Sequence, residues 1–553
     1  MPTGKRSTRL SAASLAPDSS SSPRLTGQPR LARSAAAAAA ATMSSRVLGL
    51  VREMVLAQYF GATAAMTAYN VAFRIPNLLR DLFAEGAMSA AFVPTFTKHL
   101  HGSGKESAWR LANLVINALA VITGLLVLVG IIFAEPLVRL ITDNEYTRDA
   151  AQVALTVQLA RLMLPTLTFI ALAAALMGML NSLHHFFVPA FSPAMFNVVT
   201  IVCAWFVVPL MPGLGIEPIV AIAAGTFLGG VAQLAIQWPT LRSEGFRYRP
   251  LLDLHDEGLK RVLLLMGPGT IGLAATQVNV LVNMWLATSQ EIEAVNWLNY
   301  AFRLMYLPIG LFGVSIATAA LPAVSRHHQE EDLTAVRTTV TDGLSLMTML
   351  NVPATFGLMV LAVPIVRMLF EHGRFTPADT LATAAALQYY SLGLVGYSVV
   401  RITSPMFYAL GRNRIPVIVS VVTVLVNAAL NYGLVQVIGY RGLALGTSIA
   451  ALFNAGTLLF LLRAQLHGLN GRQLFSSVSR IALASIAMGA AAFASFRALE
   501  RWLPGDGEII QIVRLFLVIG FALVVLAGGA WLLRIREFNQ GVALVSRRLR
   551  RSR

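Results

Sequence analysis

Charge is scarce in this chain of 553 residues. Asp, Glu, Lys and Arg together make up 12% of it, about half the ~25% of an average soluble domain. That is too little charge to cover a water-facing surface, so a soluble multidomain enzyme is excluded. Acids are scarcer still, 26 against 43 bases, for a formal charge of +17. Cysteine is almost absent: Cys203, within Ile201-Val202-Cys203-Ala204-Trp205, stands alone. One cysteine makes no intrachain disulfide, and no cluster has zinc-ligand spacing. Cys203 reads as a small core filler. There is no P-loop, so ATP hydrolysis has no place in this chain. His184-His185 and His327-His328, placed at loop positions, read as interfacial polar residues rather than as a metal site.

Apolar residues are abundant, 56% of the chain with mean hydropathy +0.67. At about 20 apolar residues per membrane-spanning helix, the sequence holds about fourteen spans and little else: 35–60, 66–97, 109–134, 150–181, 188–211, 217–241, 259–288, 293–325, 336–366, 380–411, 415–438, 442–464, 474–498 and 508–533. The predicted fold is an all-α polytopic membrane protein. Residues 1–34, rich in Ser, Pro, Arg and Lys, read as a disordered basic cytoplasmic tail rather than a signal peptide. Bases gather in alternate loops, from Lys98, Lys105 and Arg110 to Arg463 and Arg472, and again in the tail around Arg547-Arg548-Leu549-Arg550-Arg551. The positive-inside rule then places both termini in the cytoplasm and accounts for the net charge without a nucleic-acid partner.

The chain repeats itself. Asn70-Val71-Ala72-Phe73-Arg74-Ile75 resembles Asn299-Tyr300-Ala301-Phe302-Arg303-Leu304, 229 residues later, and Ala134-Glu135-Pro136-Leu137-Val138-Arg139 resembles Ala362-Val363-Pro364-Ile365-Val366-Arg367. A repeat of that length holds six spans, an even number, so the copies are parallel, and parallel repeats place a substrate site between two rocking halves. The predicted organisation is an N-lobe over 35–241 with spans 1–6, a cytoplasmic amphipathic linker over 242–258, and a C-lobe over 259–466 with spans 7–12. Two further spans over 467–535 and a basic cytoplasmic tail over 536–553 complete it.

Arginines inside otherwise lipid-compatible helices are the informative feature: Arg46, Arg52, Arg74 and Arg80 in the first two spans, Arg161 in the fourth, Arg303 in the eighth and Arg401 in the tenth. A charge at mid-membrane costs at least ~2.5–3.5 kcal/mol, and the nearby acids Glu53, Asp81 and Glu85 are fewer. A guanidinium stays charged and offers paired N–H donors to phosphate or carboxylate oxygens, so a wet, arginine-lined cavity suits a pyrophosphate or a polycarboxylate. The alternative for Arg74 and Arg161 is snorkelling to the interface; for Arg52, a simple ion pair with Glu53 or Glu85; for Arg401, anchoring a helix end. Pro76, Pro308, Pro322 and Pro353, with Gly86, Gly310 and Gly313, mark kinked or cavity-lining segments, since such breaks are tolerated where neighbours or cavity water satisfy the backbone.

Ser45-Arg46-Val47-Leu48-Gly49-Leu50-Val51-Arg52-Glu53, Phe73-Arg74-Ile75-Pro76-Asn77-Leu78-Leu79-Arg80 and Phe83-Ala84-Glu85-Gly86-Ala87 together resemble the MurJ/MviN family of lipid II flippases. So do Asn181-Ser182 with Val188-Pro189-Ala190-Phe191-Ser192-Pro193, and Leu369-Phe370-Glu371-His372-Gly373-Arg374-Phe375-Thr376. The resemblance covers about residues 40–535. It implies a fourteen-helix member of the multidrug/oligosaccharidyl-lipid/polysaccharide exporter superfamily in the bacterial cytoplasmic (inner) membrane. Such proteins move undecaprenyl-pyrophosphate-linked peptidoglycan precursor to the outer leaflet by alternating access, for cell-wall synthesis. By motif position it puts the cavity arginines at Arg46, Arg52, Arg80 and Arg303, with Glu53, Arg74, Asn77 and Glu85 as secondary cavity or gating residues, and a lipid-tail groove at the last two helices. The chain departs from the family at Thr67 and Phe302, where acids are common. Where some members hold sodium through an Asn-x-x-x-Asp pair, this chain has Asn427 and Asn431, and the missing carboxylate weakens a hard-cation site.

No cofactor is expected, and the energy source is the membrane potential or an ion gradient. The partners implied are lipid II and membrane lipids. Two transporter alternatives are a drug/cation antiporter of the same superfamily, which needs buried acids, and a flippase for another polyprenyl-linked glycan. A membrane glycosyltransferase would need a catalytic acid or base and a sizeable outer loop, and these loops are short.

Overall fold

The computed structural model describes residues 28–81, 87–310, 314–505 and 507–539; of residues 28–36, 87–90, 267–276 and 314–320 only the helical backbone is described. Every regular element among them is helical. The first half runs through α1 (Gln28–Phe60), α2 (Ala64–Arg80), α3 (Ala87–Gly102), α4 (Gly104–Ile132), α5 (Ala134–Ile141), α6 (Asn144–Arg148), α7 (Ala150–Met163), α8 (Thr166–Ser182), α9 (Phe187–Phe206), α10 (Ile219–Ala235) and α11 (Trp238–Ser243). The second runs through α12 (Glu257–Thr288), α13 (Ala294–Pro308), α14 (Val314–Gln329), α15 (Leu333–Val360), α16 (Ala362–Phe370), α17 (Pro377–Ala409), α18 (Arg414–Ile438) and α19 (Tyr440–Gln465). A final pair, α20 (Gly471–Trp502) and α21 (Glu508–Leu532), packs against α15 and α16.

The duplication in the sequence is a duplication of elements. The long helix α4 begins at residue 104 and its counterpart α15 at 333, the same 229-residue shift that relates Arg74 to Arg303. Each is followed by a short helix, α5 or α16, opening on Ala-x-Pro. The register survives in detail: a widened, π-type turn follows α2 at Asp81 and α13 at Ile309–Gly310, again 229 residues apart. Helix starts follow from local chemistry. Asp149, Asp256 and Asp332 cap α7, α12 and α15 through their carboxylates, and Thr376 with Asp379 forms a reciprocal capping box ahead of Pro377 at the start of α17.

Nine helical stretches among the described residues are long and apolar enough to cross a membrane. They correspond to nine of the fourteen predicted spans. The other five, at 35–60, 66–97, 259–288, 293–325 and 380–411, include every stretch that supplies a buried arginine between the lobes. Pro76, Pro322 and Pro353 lie inside continuous helices; only Pro308 stands at a helix end. His327 and His328 belong to the last turn of α14 rather than to a loop. Helix α1 opens at Gln28, inside the stretch read as a disordered tail.

Between α11 and α12 the chain is an extended strap. Asn113 and Asn117 on α4 hold its backbone, donating to the carbonyls of Arg247, Arg249 and Leu251 at 2.8–3.1 Å. Glu244 ties its start to His185 at 2.9 Å and Lys105 at 3.0 Å, and these two hydrogen bonds hold the Glu244 carboxyl below its ordinary range. Arg161 and Arg401 are exposed on the bundle exterior, Arg161 donating to the Ile131 carbonyl. Neither borders the cavity described below.

The packing sets the shape. One core joins both lobes at the end where α1 turns into α2, drawing in Phe60, Tyr69, Tyr300, Phe370 and Phe375. Away from that end, one core around Phe92, Phe96 and Phe246 takes in Leu259, Val262 and Met266 of α12, so the first helix of the second lobe packs on the first lobe there as well, and another core lies around Val324, Met406 and Phe407 within the second lobe.

Candidate functional site

The end where α1 turns into α2 carries an interlock of two loops. Gly61 (φ +61°) and Gly373 (φ +60°) adopt the left-handed conformation that glycine tolerates. A Cβ on Gly61 would meet the carbonyl of Arg374, and one on Gly373 the carbonyl of Gln58. The Arg374 amide donates to that Gln58 carbonyl at 2.9 Å. One turn deeper, Thr67 donates to the Ile292 carbonyl at 2.6 Å, and Asn296 donates to Thr67 at 2.8 Å while accepting from Asn70 at 2.7 Å. Thr67 thus serves in the lobe-to-lobe contact, in place of the acid common in the resembled family. Phe302 stands in for another such acid and packs its ring against Tyr306, Tyr390 and Tyr397.

Below the interlock lies a cavity of about 410 Å³, bordered by Arg52 of α1, Phe73, Asn77 and Arg80 of α2, and Arg303 of α13, with a wall from α8, α9 and α10. At 1.5 Å per helical residue, Arg52 and Arg303 sit roughly 12–14 Å from the closed ends of their helices and Arg80 about 24 Å from its own. They therefore span the middle and far half of a core ~30 Å thick. Asn70, Arg74, Asn77 and Asp81 recur every three or four residues, which puts them on one face of α2.

The charges are shared rather than matched one to one. Glu53, 4% exposed, accepts through one oxygen from Arg52 at 2.5 Å and from Arg303 at 2.5 Å. The Arg52 guanidinium also stacks over Phe196 at 5.5 Å. Two cations on one carboxylate leave an excess positive charge, Arg52 buried and Arg303, 40% exposed, bordering the cavity. Arg80 pairs with Asp81 at 2.8 Å, and Asp81 also accepts from Gln277 at 3.3 Å. Arg74 is not among the residues bordering the cavity, and its Nε is buried with no partner among the described residues.

Of the residues selected from the sequence, Arg52, Arg80, Arg303 and Asn77 come together at the cavity. Glu53 lies behind them. Arg46 packs its guanidinium against Gly310 between α1 and α13, where a Cβ would collide with it, and is not among the cavity-bordering residues. Glu85 lies outside the described residues. Asn427 and Asn431 form an amide cluster in the C-lobe, Asn431 donating to Asn283 at 2.7 Å and to Asn427 at 3.1 Å, beside Thr447. No carboxylate joins it, and two of the amide oxygens are already taken as acceptors. The donor set is therefore a poor fit for a hard cation. Sequence reasoning passed over Asn197, Gln233 and Gln237, which line the cavity from α9, α10 and the turn after α10; neutral polar residues in apolar helices carry little signal one at a time.

The family profile described as lipid II flippase MurJ matches residues 56–512. The chain belongs to that family. It is 34% identical over 481 residues to a probable lipid II flippase MurJ of Vibrio cholerae, covering 86% of this chain and 91% of that one. It is 36% identical over 424 residues to the lipid II flippase MurJ of Burkholderia cenocepacia, covering 76% and 81%. A solved structure of lipid II flippase MurJ in an inward closed conformation superposes with TM-score 0.72 at 27% identity, covering 89% of this chain and 98% of that one. This MurJ-family chain is therefore a multi-pass membrane protein, its two parallel lobes and terminal helix pair matching that solved fold.

Proposed function

We propose that this chain moves lipid II, a polyprenyl-pyrophosphate-linked sugar-peptide, from the inner to the outer leaflet of the bacterial cytoplasmic membrane by alternating access. The observation that carries the reading is the cavity bordered by Arg52, Arg80 and Arg303, in which Arg52 and Arg303 share the single carboxylate of Glu53. A pyrophosphate completes that charge balance; a cationic drug does not, which disfavours an antiporter. The paired N–H donors of Arg80 and Arg303 bind phosphate oxygens while the polyprenyl tail stays in lipid along α20 and α21. The exposed rows on α21, with Ile509, Phe516, Val524 and Trp531 all facing outward, supply an apolar surface for it.

With both termini in the cytoplasm, the interlocked end faces outward and the opposite end inward. Substrate then enters from the cytoplasmic leaflet while the outer end is shut. No step needs a cofactor or ATP. One charge moved through the membrane is worth about 2.3 kcal/mol per 100 mV, enough for a net cationic cavity to bias the cycle. The test is complementation of a flippase-depleted bacterium together with a leaflet-accessibility assay for labelled lipid II. Arg46→Ala, Arg52→Ala, Arg80→Ala and Arg303→Ala each abolish both at near-normal membrane levels, and Arg→Lys rescues only in part because the fork of donors is lost. Growth like wild type with Arg52→Ala, Arg80→Ala and Arg303→Ala would refute the cavity assignment.

A further inference from the structure

The two sides of the cavity differ in chemistry. The cations come from α1, α2 and α13, whereas the α9–α10 wall carries Ser192, Asn197, Gln233 and Gln237 and no charge. Gln237 is 1% exposed. Its Nε2 donates to the carbonyls of Ala173 and Gln233 and to the Ser192 hydroxyl at 3.0–3.1 Å, which fixes the carboxamide rigidly. Its Oε1 accepts from nothing among the described residues. A buried amide oxygen without a donor is a costly vacancy in a folded protein, here held in place at the rim of a cavity. Gln233, one turn earlier, accepts through its backbone oxygen from Ser192 and Gln237. Its own side-chain amide makes no hydrogen bond within the described residues, so both its donor and its acceptor remain available.

We infer that this wall is a neutral amide subsite that reads the N-acetylated sugar next to the pyrophosphate. The inference rests on the flippase reading and assigns the second half of the same cavity. The chemistry selects the ligand. Phosphate offers acceptors only and is served by the guanidiniums opposite. An acetamido group offers one N–H donor and one C=O acceptor, and sugar hydroxyls offer both. The free Gln233 amide serves both, donating to a carbonyl or hydroxyl and accepting from an N–H, while Gln237, its oxygen enclosed, fixes the wall beside it. A volume of about 410 Å³ is at the small end of ligand cavities, ~300–1,000 Å³. It encloses the pyrophosphate and the sugar attached to it, and leaves the peptide outside. The arginines then hold any polyprenyl pyrophosphate, and the amide wall distinguishes a loaded carrier from a bare one.

The experiment compares binding of two probes to the purified full-length protein in nanodiscs: undecaprenyl pyrophosphate alone, and the same lipid carrying the N-acetylated disaccharide-pentapeptide. Gln233→Met, a near-isosteric change at a side chain with no internal partner, weakens binding of the sugar-bearing lipid about five- to tenfold per lost hydrogen bond. It leaves binding of the bare lipid within twofold. Gln237→Met loosens the wall and does the same, and its melting temperature separates a local loosening from a lost fold, with Gln233→Met as the variant free of that complication. Arg80→Ala weakens both lipids. Equal loss of both lipids, or of neither, in Gln233→Met overturns the amide subsite while leaving the flippase reading intact. Failure of the wild-type protein to bind either lipid overturns that reading, and the subsite with it.

Discussion

Glu53→Gln keeps the shape of the side chain and removes the one negative charge between Arg52 and Arg303. In the native protein the Glu53 carboxylate is 4% exposed and touches both guanidiniums at 2.5 Å. Its loss leaves Arg52, with a side chain 9% exposed, as a buried cation facing a second one. Removing one partner of a buried pair costs about 3–5 kcal/mol. Arg303 is 40% exposed and regains water on the cavity side, so the lower end applies, about 3 kcal/mol or a factor on the order of 100 in the folded population. Thermal unfolding of the purified variant, followed by size-exclusion chromatography, reads this as a clear drop in midpoint. The double variant Glu53→Gln/Arg303→Met removes the repulsion and recovers much of the loss without recovering transport. Should Glu53→Gln melt with the wild type, or should the two substitutions prove additive, the shared carboxylate is not what keeps these cations buried.

Two further predictions concern the ends of the molecule. Gly61→Ala or Gly373→Ala places a Cβ against a backbone carbonyl of the other lobe and a side chain in left-handed space, a conformation that alone costs about 1–2 kcal/mol. Thr67→Cys in either background becomes reactive to an impermeant thiol reagent from outside, while the native Cys203, buried in α9, gives little background; unchanged labelling would show that the loops do not seal the lobes. At the opposite end, the hydrogen bonds from His185 and Lys105 hold the Glu244 pKa below its ordinary value. The strap is therefore anchored above the ordinary glutamate value of 4.5 and released as pH falls through the lowered one. Protease nicking within 246–256 rises only under that acid condition, and Glu244→Gln brings the same susceptibility to neutral pH.

Much of this was legible in the sequence. The 229-residue echo around Arg74 and Arg303 gave the lobes and their parallel relation, because a duplicated helix pair must keep its spacing to keep its packing. Arg52, Arg80 and Arg303 were recognisable because a charge in an apolar helix demands a reason. The same signal also drew in Arg161 and Arg401, since a one-dimensional pattern does not say whether a helix face meets lipid or a neighbouring helix. The amide wall was invisible for the converse reason: Asn197, Gln233 and Gln237 cost a helix little, lie on separate elements, and acquire meaning only when α9 and α10 pack side by side. The loop interlock was equally hidden, for nothing in Gly61 or Gly373 announces that each fits beneath a carbonyl more than 300 residues away.

The hydrogen-bonded part of the interlock is modest, set beside the Glu53–Arg303 pair and the apolar core that also join the lobes. The Arg374–Gln58 backbone bond and the small group around Thr67, Asn70 and Asn296 amount to five hydrogen bonds, each worth only about 0.5–1.5 kcal/mol net. Their sum is comparable with the ~5.5 kcal/mol that swings a two-state equilibrium from one extreme to the other. Hydrogen bonds of that total strength lie within the range that a ligand's differential affinity for two states can offset.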